Sequence, residues 1–375
     1  MERGRVGAEL LALLADLVAI PSTYPPGDIE PITAFCRGLL EGYRTEVLGR
    51  GNLVARLGTG KPSIVFNAHA DTVDVGDRAA WRTDPWKATL VDGRVYGLGA
   101  CNCKGAMAVH LWLAREIVRR GGPRRGEVVF TFVGDEENLG PDGLAALRTS
   151  GAIRPDMLVV AAQTRNRLVL EERGVMWVKV ITRGRAAHAG APHTGESAIL
   201  RMHDVLTAIR RDLLPSIAAR RSASGQQATL SIGKIGGGGN TNVVPDWCAI
   251  DIDRRILAEE DFDAAFEELR GTALAAGAAE VELLTGTPGW RAADSGPGAR
   301  AFLESIGIVA GRPPERLNVV GASDARYFAR DGIEILVTGP GDGADSHIPN
   351  EHVALDELVD AALIHLGAAE RMLGI

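Results

Sequence analysis

Cysteine is scarce in this 375-residue chain. The four present, Cys36, Cys101, Cys103 and Cys248, form no CxxC pair and no framework spacing of the disulfide-rich secreted kind. A disulfide scaffold is therefore excluded, and a reducing compartment, the cytoplasm, is expected. Positive charge is not in excess either. Lysine plus arginine number 41 against 48 aspartates plus glutamates, a net charge of −7, and no basic stripe is available to neutralise a phosphate backbone. That argues against a nucleic-acid partner. Long uninterrupted apolar runs are missing as well: the first apolar stretch, ELLALLADLVAI, contains Asp16 and has helical periodicity, so neither export nor membrane insertion is expected. What is present is an ordinary balance of 46% apolar and 24% charged residues, that of a folded soluble protein with enough chain for two compact units.

The pattern along the chain predicts an α/β protein. SIVFNAHAD (63–71) is a short apolar run ending in polar residues, as for a buried strand that delivers side chains at its C-terminal edge. Lys104 to Arg120 places Met107, Leu111, Ala114 and Val118 on one helical face. EVVFTFVG (127–134), MLVVAA (157–162) and EILVT (334–338) are further buried strands, and their alternation with helical or loop patterns predicts a mostly parallel sheet covered on both faces. The middle reads differently: strand 175–184, helix 196–214, strands 228–236 and 246–255, helix 259–277 and strand 279–285 give the order β-α-β-β-α-β of a small ferredoxin-like α+β domain. The predicted organisation is a catalytic domain in two parts, 1–174 and 287–375, with an inserted lid at 175–286.

Three strand ends carry chemistry. His69 and Asp71 are two residues apart, on one side of an extended chain, where a carboxylate can hold the second ring proton of a metal-ligating imidazole. Glu136 and Glu137 of GDEEN end another strand at the sheet edge where open α/β folds place their sites, and two adjacent acids can divide cation binding and proton transfer between them. His347 lies in the loop beyond EILVT. Taken singly, each has a plain alternative: a strand-end histidine bonded to a loop aspartate, acids at a helix N-terminus, a solvated loop histidine. Convergence of the three on imidazoles and carboxylates makes a metal pocket plausible.

The ordered set AHADTV, YGLGACNCKG, GDEEN, GRAAHAGAPHTGESAI, NVVPDWCAIDIDRR, GASDARYF and SHIPNEHV resembles the dinuclear zinc amidohydrolases that include acetylornithine deacetylase, succinyl-diaminopimelate desuccinylase, aminoacylase and carnosine dipeptidase. The resemblance spans nearly the whole chain. It implies a two-domain plan, a small amino-acid-derived substrate and a homodimer formed through the lid. It also implies that His69 ligates one metal with Asp71 in support, that Glu137 and His347 hold the other, and that Glu136 is the general base. His188 of the lid would polarise the scissile carbonyl, and Asn242, Arg255 and Ser323 would contact substrate.

Two positions depart from that pattern. Asn102 stands where the family has an aspartate bridging both metals, and Ala162, Gln163 and Thr164 stand where it has an acidic ligand followed by Pro-Thr. Two dications a few ångströms apart repel strongly, and a neutral amide supplies no compensating charge. The expectation is zinc at one weak site or none, with Asn102 offering a single carbonyl oxygen and contacting substrate. Three functions stay open at this stage: an amidohydrolase using one metal, a metal-independent catalyst of acyl transfer, cyclisation or elimination relying on Glu136 and His188, and a non-catalytic binding protein. Rescue by Cys101 and Cys103 is not expected, because in an extended segment both would project away from Asn102.

Overall fold

The computed structural model describes residues 2–293, 295–317 and 322–375. The chain divides into two compact units, one made of Met1–Leu170, Ala292–Leu317 and Ser323–Ile375, the other of Glu171–Arg291.

The first unit is built on a six-stranded sheet in the order Arg44–Leu48, Asn52–Gly58, Glu127–Val133, Ser63–His69, Met157–Val160, Glu334–Val337. The last four strands are parallel and the first two form an antiparallel edge. Ser63–His69 is buried at every position and has neighbours on both sides, which its unbroken apolar run dictates. The helices Glu2–Ala19, Lys104–Arg119, Pro297–Ala310 and Leu355–Leu373 contribute buried faces to the same core. Met107, Leu111 and Ala114 are buried as their spacing predicts, whereas Val118 is 38% exposed and Ile117 takes the buried position in the last turn. Two histidines are embedded in that core. His110 and His365 lie 5.5 Å apart between Phe66, Phe130 and Phe302, and burial drives both imidazoles toward the neutral form, His365 to about 4.

The second unit is a four-stranded antiparallel sheet in the order Thr229–Gly237, Trp247–Ile256, Gly174–Arg183, Glu280–Thr287. Helices Ala198–Ala208 and Phe262–Ala275 pack on it around Met176, Val178, Val180, Ile250 and Ile252. Strand and helix order is the predicted β-α-β-β-α-β. The predicted single helix 196–214 is instead broken by a wider turn at Ile209–Leu213 before Pro215. Among the described residues, no helix is long and apolar enough to cross a membrane.

Candidate active site

The parallel strands deliver their polar residues at one edge. His69 is the last residue of its strand, Glu136 and Glu137 follow Glu127–Val133, Gln163 follows Met157–Val160, and His347 lies in the loop after Glu334–Val337. All are in the first unit and converge on Asn102, which sits in the turn before the helix Lys104–Arg119.

Asn102 is the hub. Its Nδ2 donates to Glu137 Oε1 at 2.7 Å and lies 2.7 Å from His347 Nε2; its Oδ1 is 2.9 Å from His69 Nε2 and accepts from Gln163 Nε2. A carboxylate only accepts, so the Glu137 contact fixes which end of the amide is nitrogen, and Oδ1 is left facing His69. The other ring nitrogen, Nδ1, faces the Asp71 carbonyl oxygen at 2.9 Å. Both His69 nitrogens thus meet acceptors. Burial alone would lower the affinity of His69 for protons, but the Cys103 side chain, the Glu136 carboxylate and Asp71 outweigh it and hold the imidazole well above its ordinary range.

Asp71 departs in detail from expectation. Its backbone carbonyl, closer than the carboxylate oxygen at 3.5 Å, takes the His69 proton, while Oδ2 accepts the Glu137 N–H at 3.1 Å and so ties the acidic loop to the histidine strand. The segment that carries the cysteines differs in shape from the expectation. Residues 98–103 form a turn rather than an extended segment, and Cys103 neighbours His69.

Glu136 Oε2 is 3.9 Å from His69 Nε2. Burial pushes its carboxyl up to about 7; His69 and Arg326 oppose that push, and Asp324 and Glu137 reinforce it. A base poised there exchanges protons readily near neutral pH. The loop that carries it is held by Asp135, in a left-handed conformation (φ 66°), whose side chain accepts from Asn138 Nδ2 at 3.1 Å and Asp142 N at 2.8 Å. Gly140 lies so close that a Cβ there would meet Asp135 Oδ2 at 1.9 Å, hence glycine. His347 takes the same backbone region (φ 62°), and its hydrogen bond with Glu137 Oε1 at 3.0 Å raises its proton affinity.

Ligand atoms of His69, Glu136 and Glu137 all lie within 4.8 Å of one another, a group able to hold a divalent ion. His347 is joined to Glu137 but is not a member of that group. Ser323 Oγ accepts the Ala325 N–H at 3.3 Å and caps a short helix.

The remaining predicted residues belong to the second unit. The exposed His188 pairs in register with Val243, and its Nδ1 accepts the Gly190 N–H at 2.9 Å, which puts the ring proton of the neutral imidazole on Nε2. Asn242 is exposed, and its carbonyl accepts from Ala189 N. Arg255, expected to grip a substrate carboxylate, holds Asp253 through Nε and Nη2 at 2.9 and 3.1 Å, and Asp253 also accepts from Trp177 Nε1.

Sequence reasoning missed several participants. Gln163 was noted only as part of a lost ligand, yet its side chain reaches Asn102. Glu351, 1% exposed, gathers the N–H groups of Gly99, Cys101 and Asn102 at 2.8 to 3.1 Å and shapes the turn that presents Asn102. Asp324 and Arg326 lie buried behind Glu136. The motifs SHIPNEHV and GASDARYF contain these last three, so their positions were visible although their contacts were not.

The profile of Peptidase family M20/M25/M40 matches residues 65–371. Succinyl-diaminopimelate desuccinylase of Gluconacetobacter diazotrophicus is 29% identical over 384 residues, covering 97% of each chain. N-acetyl-L-citrulline deacetylase of Xanthomonas campestris is 30% identical over 362 residues, covering 94% of each. The crystal structure of the M20 family metallo-carboxypeptidase Sso-CP2 from Sulfolobus solfataricus matches with a TM-score of 0.82 at 17% identity, over 98% of this chain and 100% of that one. With its profile spanning most of the sequence and its strand-edge constellation in place, the chain belongs to peptidase family M20/M25/M40.

Proposed function

We propose that this protein hydrolyses the amide bond of an N-acyl amino acid or short peptide, with Glu136 as general base, at a site that holds at most one divalent ion. The observation that carries the reading is the set of partners around Asn102. Its carbonyl oxygen takes hydrogen bonds from His69 and Gln163, which uses both lone pairs, and its NH2 donates to Glu137. An amide so engaged has nothing left to ligate with. Two carboxylates of the family pattern are amides or alanine here, and the loss of about two negative charges matches the loss of about one dication.

His69 and Glu137, with Glu136 beside them, would hold a single ion once His69 Nε2 gives up the proton that it donates to Asn102. When bound, a divalent ion supplies Lewis acidity. The chain's own part is proton management. The Glu136 carboxylate removes a proton from water as the water oxygen bonds to the amide carbon; the proton then passes to the amide nitrogen, the C–N bond breaks, and a carboxylic acid and an amine leave. His188, with its proton on Nε2, is the donor suited to the developing oxyanion.

A metal-independent version of the same hydrolysis is favoured by one observation, that hydrogen bonds alone satisfy the Asn102 oxygen. A homodimer through the second unit is part of the proposal. Ile199 and Leu200 are 45% and 69% exposed on its helix, and the edge strand Thr229–Gly237 is open along its length, with Ile235 62% exposed.

The test is turnover of a panel of N-acetyl and N-succinyl amino acids and dipeptides by freshly purified protein, with elemental analysis in parallel. Glu136→Gln should lower turnover by about 10²-fold or more. A fully active Glu136→Gln variant overturns the proposal, and chelation distinguishes the one-metal from the metal-free version. Ligand binding without chemical change would make the protein a binder.

A further inference from the structure

A guanidinium lies buried beside the base. Arg326 is 4% exposed, with Nη1 3.7 Å from Glu136 Oε1 and Nη2 3.8 Å from Asp324 Oδ1. Nη2 also donates to the Tyr327 phenol oxygen at 2.9 Å, the guanidinium sits 4.3 Å from the centroid of the Tyr327 ring, and the Tyr327 hydroxyl in turn donates to the Gly140 carbonyl. Asp324 is anchored from behind: its Oδ2 accepts from Asn67 Nδ2 at 3.2 Å, and Asn67 Oδ1 accepts from Thr131 Oγ1 at 2.8 Å, both on strands that lead into the site. Among the described residues, Nη1 has no hydrogen-bond partner although it is fully buried.

That arrangement is odd for a structural ion pair. Buried arginines are normally matched to carboxylates by short parallel hydrogen bonds, and a buried donor left without a partner calls for an explanation. Here the charge is delivered without the hydrogen bond. A bond to Glu136 would occupy a lone pair needed for proton transfer; a positive charge at 3.7 Å attracts the carboxylate and leaves both of its oxygens able to accept. Through Tyr327, the same side chain is fastened to Gly140, at the far end of the loop that bears Glu136.

We propose that Arg326 is a positioning residue for Glu136, fixing the carboxylate by charge and the 135–140 loop through Tyr327. The proposal rests on Glu136 being the base, and its test separates the two. Arg326→Met, Arg326→Lys and Tyr327→Phe are compared with the unaltered protein on the N-acyl amino acid panel, with kcat and KM resolved, together with melting temperature and amide hydrogen exchange over 135–140. Arg326→Met should lower kcat by about tenfold or more with KM within about twofold, and exchange should rise in 135–140 more than elsewhere. Arg326→Lys should recover part of kcat, and Tyr327→Phe should raise exchange in the loop with a smaller kinetic loss. Unchanged exchange in 135–140, or a rise spread evenly over the chain with the melting temperature, overturns the proposal. So does an unchanged kcat in folded Arg326→Met, or, where that variant does not fold, Tyr327→Phe and Arg326→Lys both matching the unaltered protein. Full activity of Glu136→Gln with a loosened loop in Arg326→Met rejects the role of the base and, with it, the proposed kinetic role of Arg326.

Discussion

Replacing Asn102 by aspartate reverses the logic of the site and gives the sharpest test of it. The amide nitrogen stands 2.7 Å from Glu137 Oε1. Asn102→Asp exchanges that donor for an anionic oxygen in the same place, and at an effective dielectric constant of 20 two unit charges at that spacing repel by about 6 kcal/mol. The figure is an upper end, because the pair relieves itself by sharing a proton or by turning aside. A divalent ion between the two carboxylates removes the repulsion and converts it into affinity. The expected outcome has two parts: without added metal the variant melts well below the original protein, and zinc restores or exceeds the original melting temperature, whereas zinc moves the original protein much less. Calorimetric zinc titration and elemental analysis should show added stoichiometry in the variant. If the original protein binds two equivalents of zinc as tightly as Asn102→Asp, or if the variant is equally stable in chelator, the account of Asn102 as the replacement for a bridging anion is wrong.

Two further outcomes follow from buried groups. His365 is held neutral, with its proton affinity lowered by burial to about 4, so the unfolded chain takes up the proton first as pH falls; its contribution is intact above about 6.5 and is lost between there and 4, amounting to about 2 kcal/mol at pH 5. Denaturant titrations at pH 7 and pH 5 should show this loss and show it reduced in His365→Leu; an equal loss in both proteins would remove His365 as the cause. Glu351→Gln should destabilise by about 1–3 kcal/mol, since an amide cannot accept all three N–H groups that the carboxylate gathers and must turn its own NH2 toward one of them. Unchanged denaturant stability in that variant would mean that the turn is held by other contacts.

Much of the fold was legible because its signals are local. The parallel strands announce themselves as apolar runs, and the switch to alternating strands and helices after Gly174 gives the second unit's element order. The antiparallel edge strands Arg44–Leu48 and Asn52–Gly58 escaped, the first because it is half-exposed and carries no apolar run. In the site, His69, Glu136, Glu137 and His347 were readable as polar ends of buried strands. Contacts that depend on how far a side chain reaches were not: Gln163 touching Asn102, Cys103 turning toward His69, Glu351 closing a turn some 250 residues earlier in sequence. Arg255 was legible only in part. Asp253 stands two residues away on the same strand face and takes Nε and Nη2 of the guanidinium, a pairing that this spacing allows but does not announce.

The place where the chain leaves the first unit and returns to it is itself instructive. Leu170 and Ala292 are joined by a backbone hydrogen bond of 2.8 Å, and just beyond them Trp290 and Arg291 pair with Glu172 and Glu171. Departure and re-entry thus lie side by side, paired strand to strand in the chain's own backbone. A segment whose two ends are held that close together closes a loop whose entropic cost rises only slowly with its length.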